Sequence, residues 1–393
     1  MVTIEQAQKI ILERVPPLPT QRVPLLDAAG RVLAQDLVTP YDFPMVDTSA
    51  MDGYAFCFDS LNGEALPVSG FLPAGAEPTP VRPGTAVRIM TGAPVPQGCD
   101  TVVPIEETAP DGEGIVLTGK VRKGSHVRKR GEDLRRGECV VAAGRVIRGP
   151  EVGMAASLGM IDLPSYRRAK VALLATGDEL LEMGAPPMPG RIVNSNSISL
   201  AAQVITLGAA PQFLGIARDD LVATMVKLRA GLESDAVVVT GGVSVGDRDY
   251  VKEAIESLGG ELLFWKVNMK PGKPVAFAMV GNTPVFALPG NPVAALVGFE
   301  LFVRPALLKM MGHRALFRAS VRARVTAAVA NRGDRPHLLR GSVVAQADGA
   351  AVTVAAKQSS ANLGSMTGSN ALVLLPPNAA LEAGAMVDAM LLD

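Results

Sequence analysis

Apolar residues recur with two different spacings along the chain, and the change from one to the other marks the module boundaries. Helical spacing predicts helices at 3–15, 26–34 and 150–158. Between the second and third of these, glycine and proline separate short β-type runs at 68–71, 86–90, 101–105, 115–117 and 139–142. We therefore expect an inserted β domain at 45–144, with 1–44 and 145–168 folding together beside it.

From residue 169 onward, predicted strands alternate with predicted helices. The strands are 171–175, 212–217 and 236–240, and the helices are 197–207, 221–231 and 250–258. Strands connected through helices of this length form right-handed βαβ units, so a mostly parallel sheet is expected. A hairpin turning at Gly281-Asn282 follows, and then an apolar helix over 293–311 behind Pro292. These elements define an α/β domain at 169–313.

The last part of the chain, 319–393, returns to alternating apolar and polar residues. Short runs at 321–325, 342–345, 352–355 and 371–375 predict a small β barrel or sandwich. The chain as a whole is therefore expected to be a multidomain protein of α/β and β architecture.

Composition restricts the function. With 38 basic and 38 acidic residues the net charge is zero, which gives no general reason to expect nucleic acid or an anionic membrane as partner. No signal peptide or membrane-spanning apolar run is predicted, so the expected location is cytoplasmic. The three cysteines and three histidines are scattered, which argues against a disulfide framework and a zinc site. Any metal is expected to be a hard, oxygen-bound cation.

Three loops are expected at the carboxyl edge of the parallel sheet, where α/β proteins bind ligands. They contain Thr176-Gly177-Asp178-Glu179, Gly241-Gly242-Val243-Ser244-Val245-Gly246-Asp247-Arg248-Asp249 and Pro289-Gly290-Asn291-Pro292. A glycine-rich turn that enters a helix leaves backbone N–H groups free to hold an oxyanion. Because Asp247 and Asp249 repel a bare phosphate, we expect a phosphate that arrives with a divalent cation or that must be cleaved. The competing interpretation is that these are ordinary turn residues.

Further polar groups are candidates for the same site. The segment Asn194-Ser195-Asn196 is expected to cap the helix that starts near Ser197 and to offer two amide side chains, those of Asn194 and Asn196, to a ligand. Lys270 and Lys273 lie on a proline-containing loop where both ammonium groups can face one anion, with a solvated turn as the alternative. Either an anion-binding face or a solvated surface explains a cluster of basic residues, which comprises Arg122, Lys123, Arg128, Lys129, Arg130, Arg135 and Arg136.

Seven short motifs carry a family resemblance. They are Ser49-Ala50-Met51-Asp52-Gly53-Tyr54-Ala55, Arg88-Ile89-Met90-Thr91-Gly92-Ala93-Pro94, Arg130-Gly131-Glu132-Asp133, Thr176-Gly177-Asp178-Glu179-Leu180, Thr240-Gly241-Gly242-Val243-Ser244-Val245-Gly246, Lys270-Pro271-Gly272-Lys273-Pro274 and Leu288-Pro289-Gly290-Asn291-Pro292. In these motifs and their order, the chain resembles the molybdopterin molybdenumtransferase family, which includes bacterial MoeA and the C-terminal domain of gephyrin.

The resemblance implies an elongated homodimer, with 1–44 and 145–168 as the dimerisation domain and an α/β domain like that of molybdopterin adenylyltransferase. It implies a reaction in which adenylylated molybdopterin and molybdate give molybdenum cofactor and AMP, helped by a divalent cation, usually Mg²⁺. Molybdopterin adenylyltransferase and molybdoenzyme chaperones are implied as candidate protein partners.

Matching the motifs residue by residue implies roles. The catalytic candidates are Asp52, Thr91, Asp133, Glu179, Asp249, Lys270 and Lys273. The candidates for substrate or oxyanion binding are Thr176, Gly177, Asp178, Asn194, Asp220, Gly241, Gly242, Ser244, Gly246, Pro289, Gly290, Asn291, Arg340 and Ser360. The implied metal ligands are Glu179, Asp249 and Asp52. Asp219 is an alternative to Asp220 for the same matched position, and Ser359 is an alternative to Ser360. Which carboxylate acts as a base and which binds the metal stays open.

Three of the catalytic candidates, Asp52, Thr91 and Asp133, belong to the β insertion. The implied dimer would bring the β domain of one subunit over the α/β domain of the other. Two other functions remain as alternatives: a molybdopterin adenylyltransferase or nucleotide pyrophosphatase that uses the α/β domain alone, and a gephyrin-like binding scaffold.

Overall fold

A computed structural model describes residues 1–243 and 250–392, and the chain divides into two compact units. One unit comprises Met1–Ala34, Gly144–Val152 and Ile161–Asp393, and the other comprises Gln35–Ala143 and Gly153–Met160. The finer division into four domains stays a prediction. Within the described ranges, no helix is both long and apolar enough to cross a bilayer.

The first helix of the larger unit, Ile4–Arg14, begins at a capping box. The Thr3 hydroxyl accepts a hydrogen bond from Gln6 N, and the Gln6 side chain accepts one from Thr3 N. The predicted helix at 26–34 is wrong beyond its first turn, because the helix is only Leu25–Ala28. Gly30 takes a positive φ of 80°, and the chain then forms β-bridges from Val32 to Val146 and from Leu33 to Ser165.

The large sheet of this unit has six strands. In spatial order they are Ala210–Ala217, Lys170–Thr176, Ala236–Thr240, Thr283–Leu288, Ala276–Val280 and Glu261–Trp265. The first four are parallel to one another, whereas the last two pair antiparallel. The α/β fold and the hairpin at Gly281-Asn282 are therefore confirmed. The strand Glu261–Trp265 was not predicted; it lies at the sheet edge and its pairing is irregular between Leu262 and Phe264.

Helices cover both faces of the large sheet, and each face has its own apolar core. Leu173, Val204 and Phe286 belong to one core, and Leu174 and Leu228 to the other. The helices are Ser195–Thr206, Leu221–Gly231, Val251–Ser257, Pro292–Gly298 and Arg304–Met310, the last two being joined by a π-helical segment, Phe299–Val303. The predicted helix at 293–311 is thus one helical run with a π-helical interruption.

The C-terminal strands form a closed barrel, so of the two predicted arrangements, barrel or sandwich, the barrel is confirmed. In order around the barrel they are Ser320–Val325, Gly349–Val354, His337–Gln346, Ala371–Leu375 and Met386–Leu391. The strand His337–Gln346 also holds the lysine loop. Lys270 N donates to Pro336 O at 2.8 Å, and Leu338 N donates to Lys270 O at 2.7 Å.

The smaller unit is built on a second six-stranded sheet, which confirms the predicted β insertion as β structure. In spatial order its strands are Thr101–Pro104, Gly53–Phe56, Ala86–Ile89, Leu66–Leu72, Gly114–Leu117 and Thr108–Asp111. Gly53 has a structural reason to follow Asp52, because a Cβ atom at Gly53 would lie 1.9 Å from the carbonyl oxygen of Val103. The glycine therefore permits the close approach of these two strands.

The remaining elements are short. In the smaller unit, Leu37–Val38 pairs with Cys139–Val141 and Thr48–Ser49 pairs with Val127–Arg128. In the larger unit the short elements are Thr20–Pro24, Asp162–Tyr166, Leu180–Leu181, Ile192–Val193, Val329–Ala330, Ala380–Leu381 and the helix Gly364–Thr367. A further helix, Gly149–Ser157, corresponds to the one predicted at 150–158.

Candidate active site

The three predicted loops do meet at the carboxyl edge of the large sheet. Gly241 N donates to Leu288 O at 3.1 Å, and a Cβ atom at Gly241 would lie 2.5 Å from Thr176 O. A Cβ atom at Gly290 would lie 3.6 Å from the Cα of Gly241. Gly241 and Gly242 have positive φ values of 86° and 64°, which favour glycine. The parallel order of the strands therefore gathers residues that are far apart in sequence.

Thr176 supplies an unused polar group at this edge. Its side chain is buried, and its hydroxyl oxygen has no hydrogen-bond partner among the described residues. Buried hydroxyl groups are normally paired, so an orphaned one beside two left-handed glycines is a candidate ligand contact.

The two asparagines behind this edge have different tasks. Asn194 caps the helix Ser195–Thr206, because its Oδ1 accepts from Ser197 N and its Nδ2 donates to Ser197 Oγ at 2.9 Å. Asn196 Nδ2 donates to Gly290 O at 2.8 Å. The cap predicted for Asn194 is confirmed, whereas it is Asn196 that ties the helix to the loop at Gly290. The predicted ligand contact of Asn194 stays a prediction.

The acidic residues of the first loop are arranged in a specific way. Asp219 N donates to Asp178 Oδ1 at 3.3 Å, and Asp178 N lies 3.4 Å from Asp219 Oδ2. Asp220 instead caps the helix Leu221–Gly231 by accepting from Ala223 N at 2.7 Å. Glu179 is exposed, and its carboxylate folds back over Gly177, where a Cβ atom would lie 2.4 Å from Glu179 Oε2. Asp219, and not Asp220, therefore faces the first loop.

Residues 244–249 of the glycine-rich loop lie outside the described residues, and they include Ser244, Gly246, Asp247 and Asp249. Their predicted roles stay predictions. Within 1–243 and 250–392, no three His, Cys, Asp or Glu side chains are grouped as a metal site would require. The metal-ligand set of Glu179, Asp249 and Asp52 likewise stays a prediction.

A cavity of about 460 Å³ opens beside the same edge. Lys270, Lys273 and Arg335 contribute positive charge to its lining. The rest of the lining is Pro271, Gly272, Pro274, Pro289, Asn291, Ala294, Gln358, Ser359 and Ser360. No acidic residue belongs to this set, and neither lysine forms an ion pair with any carboxylate in the described part of the chain. Its charge therefore suits an anion of compact shape.

The state of a nearby histidine reflects the same positive charge. His337 is buried on the strand that binds Lys270. Burial, together with the charges of Lys270, Arg340 and Arg335, lowers the pKa of His337 to about 4. The imidazole is therefore neutral at pH 7. Two of the three charges that lower its pKa, those of Lys270 and Arg335, belong to the cavity lining.

Two arginines lie near the cavity, and only one of them lines it. The oxyanion contact expected for Arg340 stays a prediction. Arg335, which the sequence analysis did not single out, lines the cavity, and its Nη1 donates to Met269 O at 3.2 Å. Arg340 is wholly buried and is not a lining residue. Spacing alone does not distinguish them, because the pairing of Lys270 with the strand His337–Gln346 decides which arginine faces the lysine loop.

The smaller unit brings two of its three site candidates together. Thr91 N and Thr91 Oγ1 both donate to Asp52 Oδ1, at 2.7 and 2.6 Å. These bonds, the side-chain bond first, lower the pKa of the Asp52 carboxyl below its usual value. Asp133 is paired with Arg128. Further pairs, Lys123 with Asp59, Lys129 with Asp47 and Arg130 with Asp42, occupy much of the basic cluster, which favours a solvated surface over an anion-binding face.

The fold and the cavity define a class, that of multidomain α/β and β proteins with a cation-lined cavity beside the carboxyl edge of the sheet. Three sequence models of protein families match: MoeA N-terminal region (domain I and II) over residues 2–159, a probable molybdopterin binding domain over 172–309, and MoeA C-terminal region (domain IV) over 322–392. Together the matched segments extend over most of the chain.

Relatives and solved structures agree with these matches. The chain is 39% identical over 349 residues to "Molybdopterin molybdenumtransferase 2" of Mycobacterium tuberculosis, covering 85% of this chain and 86% of that protein. It is 30% identical over 401 residues to "Molybdopterin molybdenumtransferase" of Staphylococcus aureus, covering 100% of this chain and 96% of that protein. A MoeA crystal structure from Pyrococcus horikosii superimposes with a TM-score of 0.88 at 27% identity, covering 100% and 99%. The chain belongs to the molybdopterin molybdenumtransferase family.

The bond between Thr91 and Asp52 leads to a test. In Thr91→Val the hydroxyl bond is lost while the backbone bond can remain, so the pKa of Asp52 should rise towards its ordinary value. Thr91→Ser keeps the hydroxyl and should leave the pKa near that of the wild type. Carbon-13 NMR titration of the Asp52 carboxyl measures both, and an unchanged pKa in Thr91→Val would show that this bond does not stabilise the carboxylate.

Proposed function

We propose that this chain inserts molybdate into adenylylated molybdopterin and releases molybdenum cofactor and AMP. Membership of the molybdopterin molybdenumtransferase family supports the assignment of this chain as a molybdotransferase that acts in the biosynthesis of molybdenum cofactor. The observation that carries the proposal is the cation-lined cavity, because it shares the loop of Pro289 and Asn291 with the glycine-rich sheet edge. An anion site and a phosphate cradle therefore lie side by side.

Each part of this arrangement has a chemical task. Molybdate is a tetrahedral dianion, which Lys270, Lys273 and Arg335 can attract, while the hydroxyl groups of Ser359 and Ser360 can donate neutral hydrogen bonds. At the sheet edge, the Thr176 hydroxyl and the backbone N–H of Gly242 can bind a phosphate of the substrate, whereas the N–H of Gly241 already donates to Leu288 O. Positive charge fixed beside the scissile phosphoanhydride stabilises the negative charge that develops as it breaks.

We propose Mg²⁺ as the cation. Carboxylate oxygens are the donors that Mg²⁺ prefers, and exposed Glu179 at the sheet edge fits this chemistry. Asp249 and Asp52 complete the proposed ligand set. When bound, the cation would neutralise charge on the phosphate oxygens.

We propose a homodimer as the active form, in which Asp52, Thr91 and Asp133 act on the substrate held by the second copy. The resemblance supports this assembly, and so does the pairing of Asp52 with Thr91 in a unit that contains neither the lysine loop nor the glycine-rich edge. Molybdopterin adenylyltransferase and molybdoenzyme chaperones are proposed as protein partners on the resemblance alone.

Removal of one cavity charge tests the reaction. Lys273→Gln should lower molybdate-dependent AMP release about tenfold or more, because an unshielded ammonium group is lost from the anion cavity. Lys252→Gln is a matched control, since Lys252 lies on the helix Val251–Ser257 and pairs with Glu256 at 3.7 Å. Purified protein is incubated with adenylylated molybdopterin, Mg²⁺ and molybdate. AMP release that ignores molybdate, or adenylylation of pterin from ATP, would contradict the proposal.

Mixing two impaired variants tests the dimer. Lys273→Gln impairs the α/β part of the site, and Asp52→Asn impairs the part from the β insertion. After subunit exchange, about half of the dimers carry one of each, and each such dimer has one intact site if the site combines two copies. The mixture should then recover about a quarter of wild-type activity. Activity that stays at the level of the separate variants would contradict a shared site.

A further inference from the structure

A second cavity, of about 280 Å³, lies where two helical segments of the α/β domain meet the C-terminal part of the chain. Its polar lining includes Gln203, Glu300 and Arg318, and its apolar lining includes Leu207, Met366 and Leu392. Among the described residues, none lines both this cavity and the cavity of the lysine loop. The two cavities are therefore separate binding regions.

One wall of the second cavity carries a buried carboxylate that is already well paired. Glu300 lies on the π-helical segment Phe299–Val303 and is buried. Its Oε1 accepts from Gln203 Nε2 at 3.1 Å and from Arg318 Nη2 at 3.2 Å, and its Oε2 accepts from Arg318 Nε at 3.0 Å. Short π-helical segments inside helices are frequent at functional sites, so this wall is a candidate for one.

The charges around Glu300 do not balance. Arg304 Nε lies 3.7 Å from Glu300 Oε2, and it has no hydrogen-bond partner among the described residues. Burial, followed by the charge of Arg318, lowers the pKa of Arg304, so the two guanidinium groups lie close together. In the described part of the chain, neither arginine pairs with a second carboxylate. Two cations thus share one anion, and the excess positive charge favours a further anion.

Arg318 has a free edge on which that anion can bind. The edge formed by Nε and Nη2 is taken by Glu300, whereas Nη1 makes no hydrogen bond to any described residue and is not sealed from solvent. A planar guanidinium can hold one carboxylate on each of two edges. The same wall has a second unsatisfied group, because Gln203 Oε1 is buried without a partner within the described ranges. Buried polar atoms are normally paired, so this wall is incomplete as it stands.

We propose that this second cavity binds a small monocarboxylate with a short apolar chain. The carboxylate pairs with the Nη1 and Nη2 edge of Arg318, and the chain packs against Leu207, Met366 and Leu392. A single excess positive charge suits one carboxylate better than a dianion. This site is independent of the molybdotransferase reaction, because it shares no described lining residue with the cavity of the lysine loop.

A pair of matched ligands tests the charge requirement. The full-length chain is titrated calorimetrically with sodium isovalerate and with isovaleramide, which has the same shape and no charge. Isovalerate should bind about tenfold tighter or more, because only the carboxylate forms charge-assisted bonds with Arg318. Equal affinity for the amide, or no binding of isovalerate, would overturn the proposal.

Substitution of Arg318 tests the free edge. Arg318→Lys keeps a positive charge beside Glu300 but has no second edge, so the dissociation constant for isovalerate should rise about tenfold or more. Arg322→Lys is the matched control, because Arg322 pairs with Asp388 and does not line the cavity. Thermal melting confirms that each variant is folded. Wild-type affinity in folded Arg318→Lys would overturn the proposal.

A blocking variant tests the same site without changing its charges. Ala202 is exposed on the helix Ser195–Thr206 and lines the cavity, so the larger side chain of Ala202→Phe should abolish isovalerate binding. Ala230→Phe, at an exposed alanine on the helix Leu221–Gly231, is the control. Unimpaired binding in Ala202→Phe would contradict the proposal.

Saturating molybdate distinguishes the two cavities. Isovalerate should bind with the same affinity in its presence, and competition between the two ligands would overturn the assignment to the second cavity. A chain that binds isovalerate but releases no AMP would instead refute the proposed function and leave this site standing.

Discussion

Positive charge concentrated in one cavity is the constraint on which the rest of the candidate site depends. Lys270, Lys273 and Arg335 share a lining that contains no acidic residue, although Arg335 Nε lies 3.6 Å from Asp334 Oδ1 outside that lining. Like charges held this close repel each other, so the arrangement is favourable mainly when an anion is bound. Burial is the main cause of the lowered pKa of His337, and the positive charges of Lys270, Arg340 and Arg335 lower it further.

Backbone pairing is what holds these cations in place. The lysine loop is tied to the barrel strand His337–Gln346 through the hydrogen bonds of Lys270 with Pro336 and Leu338. The loop of Pro289 and Asn291 joins the cavity to the sheet edge, where Gly290 packs against Gly241. Two modules that differ in architecture, a mostly parallel sheet and a closed barrel, thereby contribute residues to one cavity. The candidate site therefore lies at their junction.

The sequence predicted well whatever depends on local periodicity and capping. The parallel strands, the hairpin at Gly281-Asn282 and the cap at Asn194 follow from spacing and turn chemistry. The helix after Ala28 failed because tertiary bridges at Val32 and Leu33 outweighed the local propensity. The roles of Arg335 and Arg340 could not be assigned from spacing either. Arg335 lies just before the strand His337–Gln346 and is half-buried at the cavity, whereas Arg340 lies within the strand and is wholly buried. The pairing of this strand with Lys270 sets that difference.

The central claim is that one compact oxyanion binds in the cavity between the loop of Lys270 and Lys273 and the segment that contains Ser359 and Ser360. A crystal structure of the full-length chain soaked with molybdate tests this most directly, since molybdenum is readily located by its anomalous scattering. We predict molybdenum density inside the cavity of about 460 Å³, with Lys270 and Lys273 among the nearest charges. Molybdate bound elsewhere, or lysine side chains directed to opposite surfaces with the cavity empty, would contradict the claim.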